Sequence, residues 1–208
     1  MAFPNAYVST DEPPARSTAR RALCAISSIG IGYLGLVILV LSLASTEYSP
    51  ITQAASDYGV GTYSLEMNSG FLLAGIGFLC LAIAAFPPSE GRAGRAGSVA
   101  LFPAGIALLV DGFYQTDIEG AKGTLHGTIH GFGGLLFFAI ASLGLLLLSG
   151  QFGRKGRMIT DLGFLSAFAF LVLDGLLGLD AGGLAERLVI LVVFSSAITN
   201  STRVYRSS

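Results

Sequence analysis

The residue types best suited to chemistry concentrate in one stretch, Leu109 to Gly131, which reads "LVDGFYQTDIEGAKGTLHGTIHG". It lies between two apolar runs and contains both histidines of the chain. His126 and His130 are four residues apart, so a helix would place both imidazoles on one face. That spacing suits two ligands of one divalent metal ion such as zinc. A further ligand would be a carboxylate or water, and the carboxylate candidates are Asp111, foremost, and then Asp117 and Asp57. The alternative is that the histidines bond to acids and helix ends without a metal.

A second acidic stretch repeats the pattern of the first. "DGFYQTDIEG" from Asp111 and "DGLLGLDAGG" from Asp174 share the motif D-G-x4-D-x-x-G. Each motif begins about one turn inside the end of a predicted membrane span, where an ionisable group is costly unless it faces the protein interior or a wet cavity. We expect Asp111, the acid nearer the histidines, to act as a proton donor or acceptor. The alternative is an acid that only holds the helices together.

Further polar residues fall at the same predicted level of the chain, each near the end of a predicted span. Glu66 and Asp117 are additional catalytic candidates, with helix capping as the alternative for Glu66. Arg187 is predicted to pair with an acid, to hold an anionic headgroup or to serve as an interfacial anchor. The candidates for substrate binding are Ser56, Asp57, Asn68, Tyr114, Asp174, Glu186 and Arg187.

The elements that must position these residues are predicted to be membrane-spanning helices. Of the 208 residues, 52% are hydrophobic and only 12% are charged, which is outside the range of soluble domains. Six apolar runs are long enough to cross a bilayer as helices. They are residues 22–45, 68–87, 97–115, 126–149, 161–179 and 186–203. We therefore predict an all-α, integral membrane six-helix bundle over residues 22–204, with a disordered tail at 1–21 and a short tail at 205–208.

The charges predict the orientation of this bundle. If six helices alternate, ten of the twelve basic residues fall on one side, and short loops rich in lysine and arginine stay in the cytoplasm. Both termini are therefore expected in the cytoplasm. Nine of the thirteen acids fall on or near the other side, which makes that surface a poor partner for nucleic acid.

The glycine-rich strings within the spans, such as "GFLLAGIG" and "GFGG", predict close helix packing. Together with the repeated acidic motif, they suggest three helical hairpins and leave a homo-oligomer open. The first loop on the acidic side is the longest, and its "SDYG" segment predicts a turn or short helix that could act as a lid. Cys24 and Cys80 are predicted to be small apolar fillers rather than a disulfide.

Several of these segments together resemble a known family. "ASDYG", "NSGFLLAGIG", "AGIALLVDGFYQTD", "LHGTIHGFGGLLFF" and "AERLVIL" are similar, in this order, to motifs of the bacterial and archaeal six-span family called domain of unknown function 998. The resemblance implies a multi-pass protein of a bacterial or archaeal cell membrane, with no assigned activity. The residues of interest that it implies are Ser56, Asp57, Asn68, Asp111, Asp117, His126, His130, Glu186 and Arg187.

A more distant similarity is to membrane hydrolases of the alkaline ceramidase and adiponectin-receptor type, which place serine, aspartate and histidines around zinc. This chain differs from that type in its six spans and two histidines. Integral-membrane terpene cyclases, which protonate an alkene or epoxide with a buried acid, are another analogy, with Asp111 or Glu66 as the acid.

These observations predict a polar pocket that opens to the acidic side and handles a lipid or isoprenoid-like molecule. The expected function is a membrane-embedded enzyme that uses acid/base or metal-assisted chemistry. The alternative is a non-catalytic lipid-binding or assembly subunit. A transporter is disfavoured, because the opposite halves of the spans are nearly free of ionisable groups.

Overall fold

The structure, a computed structural model, describes residues 14–86, 91–118, 121–150 and 154–208. Six α-helices and one short 3-10 helix, η1, account for most of these described residues. The helices are α1 (Pro14–Ala44), η1 (Ala55–Gly59), α2 (Ser64–Ala85), α3 (Gly91–Phe113), α4 (Leu125–Ser149), α5 (Arg154–Leu177) and α6 (Gly182–Arg206). Each of the six α-helices contains a stretch long and apolar enough to cross a membrane. The prediction of an all-α, multi-pass membrane protein is confirmed.

The helices begin earlier than the apolar runs that predicted them. α1 starts at Pro14, so residues 14–21 are helical and do not belong to a disordered tail; residues 1–13 lie outside the described residues. With 31 residues, α1 is about 46 Å long at 1.5 Å per residue, well beyond the roughly 30 Å of a hydrocarbon core. Hydropathy locates only the part of a helix that lies in lipid. The polar first turns continue the same helix into water.

The bundle is arranged around α2 and α6. α1 packs against α2, α2 against α3 and α3 against α4, while α6 contacts α1, α2, α4 and α5. Buried apolar side chains from all six α-helices form one core, among them Leu34, Phe78, Leu101 and Val193. Cys24 and Cys80 are buried and free, as their prediction as fillers requires.

Glycine permits the closest helix crossings, as the sequence predicted. Gly30 of α1 lies directly on the Leu73 carbonyl of α2, and a Cβ added at Gly30 would overlap that oxygen. Gly75 and Gly105 meet in the same way where α2 crosses α3, each ideal Cβ position lying 2.9 Å from the carbonyl oxygen of the other. Apolar side chains gain little free energy when they leave lipid to contact one another. Close backbone packing is therefore an important source of helix association in a membrane.

α5 is the exception to this close packing. Phe164 and Ala167, near its middle, are buried against the rest of the bundle. Its last ten residues, 168–177, include no buried residue among those described. The last part of α5 therefore packs loosely against the bundle.

Residues 45–63 join α1 to α2 and form a segment that we call the strap. The predicted short helix at "SDYG" is confirmed as η1, and Tyr58 within it is fully buried. The strap is bonded to the start of α6: Leu184 N donates to Ile51 O at 2.9 Å, and Ala55 N donates to the Glu186 carboxylate at 2.9 Å. Polar side chains of α6 thus hold a loop that is distant in sequence across one end of the bundle.

Candidate functional site

A cavity of about 180 Å³ lies beneath the strap. It is bounded by α1, η1, α2, α3, α4 and α6, and none of its lining residues comes from the described part of α5. Its walls are mostly apolar. The polar side chains that line it are Ser56, Asp111, His130 and Glu186.

Asp111 lies on the last turn of α3 and is only 2% exposed. Its Oδ1 atom has no hydrogen-bond partner among the described residues. Gly133 of α4 faces this oxygen, and a Cβ added at Gly133 would overlap it, so α4 approaches the carboxyl only because residue 133 has no side chain. A buried polar atom without a partner is costly, and its position on a cavity wall identifies it as an atom that a ligand can satisfy.

His130 projects from α4 beside Asp111 and is 6% exposed. Its Nδ1 lies 2.8 Å from the Tyr114 carbonyl oxygen and 3.3 Å from that of Asp111. Carbonyl oxygens only accept, so Nδ1 carries the hydrogen and Nε2 of the neutral ring keeps its lone pair. The Phe71 ring packs edge-on against the imidazole, 5.6 Å between centroids. His130 therefore offers a hydrogen-bond acceptor whose orientation is fixed.

The two side chains form a pair, since His130 Nδ1 lies 3.9 Å from Asp111 Oδ1. They come from adjacent helices that the intervening loop folds back on each other. An acid and a base therefore line one small, mostly apolar cavity, an arrangement that permits proton donation and proton removal on the same bound molecule.

The other histidine does not join them. His126 is exposed, and its ring packs edge-on against Tyr114 at 5.2 Å, with Tyr114 lying between the two histidines. The described residues contain no group of three histidine, cysteine or acidic side chains that could hold a metal ion. The three metal ligands proposed from the spacing, His126, His130 and Asp111, are therefore not brought together. His126 lies a turn beyond His130 towards the loop, and α3 has already ended at Phe113.

Asp117 has a local structural role. Its carboxylate accepts hydrogen bonds from the Thr124 hydroxyl at 2.6 Å and the Thr124 amide at 2.9 Å, while Thr124 caps α4. These bonds lower the pKa of Asp117 below its usual value.

This lowered pKa predicts an acid sensitivity. A carboxyl whose folded pKa is depressed stabilises the fold above its unfolded pKa of about 4, and that stabilisation is lost as pH falls through the folded pKa. Acidification from neutral pH through about pH 4 and below should therefore lower the melting temperature of the unmodified protein more than that of Asp117→Asn. Thermal melts over a pH series would test this, and equal losses in both proteins would contradict the role.

The remaining candidates divide between the cavity and its surroundings. Ser56 and Glu186 line the cavity, as their assignment to substrate binding requires, whereas Glu66 is exposed. Asn68 donates to the Gly59 carbonyl at 2.9 Å and so supports the strap. α2 begins at Ser64 without a side-chain cap from Tyr63. The candidates that do not line the cavity are Asp57, Glu66, Asn68, Tyr114, Asp117, His126, Asp174 and Arg187.

Arg187 and Asp174 fasten loops. Arg187 donates to the Gln53 carbonyl at 2.7 Å and to the Ser42 hydroxyl at 3.0 Å. Asp174 accepts from Ala181 N at 2.8 Å and is half-buried. The two copies of the acidic motif therefore do not have equivalent roles. Asp174 occupies the position of Asp111 in the motif, but it stabilises a loop as Asp117 does.

Sequence reasoning missed the aromatic part of the cavity wall. Phenylalanine rings from α2, α4 and α6 line it, namely Phe71, Phe137, Phe138 and Phe194. A signal was present in α6, where Glu186, Ile190 and Phe194 recur at four-residue spacing and all face the cavity. Such a stripe indicates one helical face, but it does not show what that face adjoins.

Comparison with known proteins supports the resemblance in the motifs. No curated protein and no solved structure matches the chain, so the similarity to alkaline ceramidases rests on residue types alone. The family model described as "Protein of unknown function (DUF998)" matches residues 28–201, from the middle of α1 almost to the end of α6. This multi-pass membrane protein belongs to the DUF998 family.

Proposed function

We propose that the protein is a membrane-embedded enzyme that moves protons on an isoprenoid-like or other unsaturated lipid held in the cavity. The observation that carries the proposal is the buried pair of Asp111 and His130 in an otherwise apolar wall. Asp111 is the acid and His130 is the base. The polar loop residues around the cavity keep the strap and the helix ends in place.

The reaction needs no reactant other than the lipid. The Asp111 carboxyl adds its proton to one carbon of a double bond, which leaves a carbocation on the neighbouring carbon. His130 Nε2 then removes a proton from an adjacent carbon, and the electrons of that C–H bond form the new double bond. The lipid is isomerised, or cyclised if a second double bond attacks the cation first. The cycle closes when the imidazolium releases its Nε2 proton to water and the Asp111 carboxylate takes up a proton from water, so both groups return to their starting states.

The cavity wall favours this chemistry over hydrolysis. Aromatic rings attract cations through their faces, and four phenylalanine side chains line the cavity. Its apolar lining suits a reaction that consumes no water. A metal-assisted hydrolysis would also need three convergent ligands, and the described residues do not bring such a set together.

Deuterium incorporation would test the proposal before the substrate is identified. Membranes that contain the protein should be incubated in D2O beside membranes that lack it, and their lipids compared by mass spectrometry. Proton addition and removal at carbon should raise the mass of one lipid class by about one unit per turnover, because Asp111 exchanges its proton with solvent. No protein-dependent incorporation into any lipid would contradict the enzymatic function.

A histidine comparison tests the assignment of the base. His130→Asn keeps an N–H near the position of Nδ1 but has no counterpart of Nε2, so deuterium incorporation should fall by about 100-fold or more. His126→Asn, four residues away on the same helix and exposed, is the matched control and should retain incorporation. Equal loss in both variants would argue against His130 as the base.

Non-catalytic lipid binding is the second candidate, and the cavity size favours it. About 180 Å³ is close to the roughly 150 Å³ of an engineered protein cavity that binds benzene, so only a short segment of a lipid fits. In that case lipid would co-purify with the protein, and D2O would leave its mass unchanged.

We also propose that the strap and the cavity lie towards the non-cytoplasmic side of a bacterial or archaeal cell membrane. The distribution of arginine and lysine supports this orientation. Labelling of single cysteines placed in the strap and after α6 by a membrane-impermeant thiol reagent on intact cells would test it.

A further inference from the structure

The side of the cavity that faces the strap is closed by hydrogen bonds to α6. Ala55 N donates to Glu186, and Arg187 donates to the Gln53 carbonyl and the Ser42 hydroxyl. Gly183 lies against Gln53 so closely that a Cβ at Gly183 would overlap the Gln53 carbonyl. A lipid arriving from the aqueous side would have to break these contacts to reach Asp111.

The side of the cavity between α4 and α6 is open. Gly131 and Leu135 of α4 both line the cavity and are exposed, Leu135 by 68%. Apart from its chain neighbours and the backbone of α4, no described atom lies within 4 Å of a Cβ built at Gly131. A residue that lines the cavity, is exposed and has open space beside it marks a point where the cavity reaches the protein surface. The last ten residues of α5 include no buried residue among those described, and no described residue of α5 lines the cavity.

From these observations we propose that the ligand enters sideways from the bilayer, through the gap between α4 and α6 at Gly131. This inference rests on the proposed function, since it takes the cavity to be the ligand site, and it defines the substrate class more closely. The substrate is a membrane-dissolved, single-chain molecule that inserts its apolar end into the cavity. The rest of the chain stays in the lipid, because a cavity of about 180 Å³ holds only a short segment.

Photolabelling of the protein in lipid nanodiscs tests the route. The probe is an isoprenoid alcohol with a diazirine at its apolar end, and the labelled peptides are identified by mass spectrometry. Gly131→Phe places a ring in the gap without displacing any described atom near its Cβ, and it should slow labelling of the cavity by an order of magnitude. Gly32→Phe is the matched control, because a Cβ at Gly32 of α1 also has no described atom within 4 Å and Gly32 does not line the cavity.

The outcomes separate the route from the function. Cavity labelling in the unmodified protein and in Gly32→Phe, with loss in Gly131→Phe, supports the sideways route. Equal labelling in all three proteins overturns the route and leaves the cavity as a ligand site. Absence of cavity labelling in the unmodified protein overturns both. Thermal melts of each variant show whether a lost signal reflects unfolding, and an unfolded Gly131→Phe is replaced by Gly131→Leu, to which the same criteria apply.

Discussion

Replacing Asp111 by asparagine is expected to lower deuterium incorporation into lipid by about 100- to 10,000-fold, the range that a positioned acid contributes to a proton transfer. The amide has nearly the shape of the carboxyl, so Gly133 still accommodates it. It supplies no transferable acidic proton. The protein should remain folded, because Oδ1 of Asp111 makes no hydrogen bond that the fold requires within the described residues.

The matched control for this variant is Asp174→Asn. Asp174 occupies the corresponding position of the repeated motif, and an asparagine there can still accept the hydrogen bond from Ala181 N. It should retain normal incorporation. If Asp111→Asn kept full incorporation, or if both variants lost it equally, the assignment of the acid would be wrong. If lipid still co-purified with Asp111→Asn, lipid binding would persist in a protein that no longer catalyses the reaction.

The second large effect is expected at the crossing of α1 and α2. Gly30→Ala places a methyl group on the Leu73 carbonyl, a backbone atom that cannot move without moving α2. Overpacking of this kind costs about 1 to 3 kcal/mol, and we expect the melting temperature to fall by about 3 to 10 °C. The decrease in melting temperature would reflect the contact at this position, because elsewhere in a helix alanine is favoured over glycine by up to about 1 kcal/mol.

Gly32→Ala, two residues along the same helix, provides the comparison. No described atom lies within 4 Å of its Cβ, so it should leave the melting temperature unchanged or raise it slightly. Cys24 and Cys80 are buried, so a thiol-reactive dye reports unfolding in detergent for both variants. Similar melting temperatures for the two would mean that the helices can separate at Gly30 at little cost.

The sequence predicted the helices well, because lipid imposes one simple requirement on each of them. A run of apolar residues long enough to cross the bilayer identifies a span, and all six were found in this way. The ends were less accurate. Charged and polar turns such as those near Arg16 and Arg20 can continue a helix into water, where hydropathy no longer distinguishes helix from loop.

The location of the candidate site could be predicted in part. Asp111 and His130 could be singled out because an ionisable group within a span is costly unless it faces the protein interior or a cavity, and both are buried and line the cavity. His126 has the same residue type and shares a helix with His130, yet it is exposed. Its exposure depends on where α3 ends and how the loop returns, and spacing along the chain does not contain that information. The phenylalanine side chains that line the cavity come from three different helices, so no pattern within one segment could predict that they meet.

The bonds between the strap and α6 join residues more than 130 positions apart, since Ala55 and Glu186 are separated by 131 and Ser42 and Arg187 by 145. During synthesis, the polar groups of the strap can therefore find these partners only after α6 has been made and inserted. A nascent chain arrested before residue 182 would lack α6, so its strap would be unfastened and the cavity lined by Asp111 and His130 would be missing one wall.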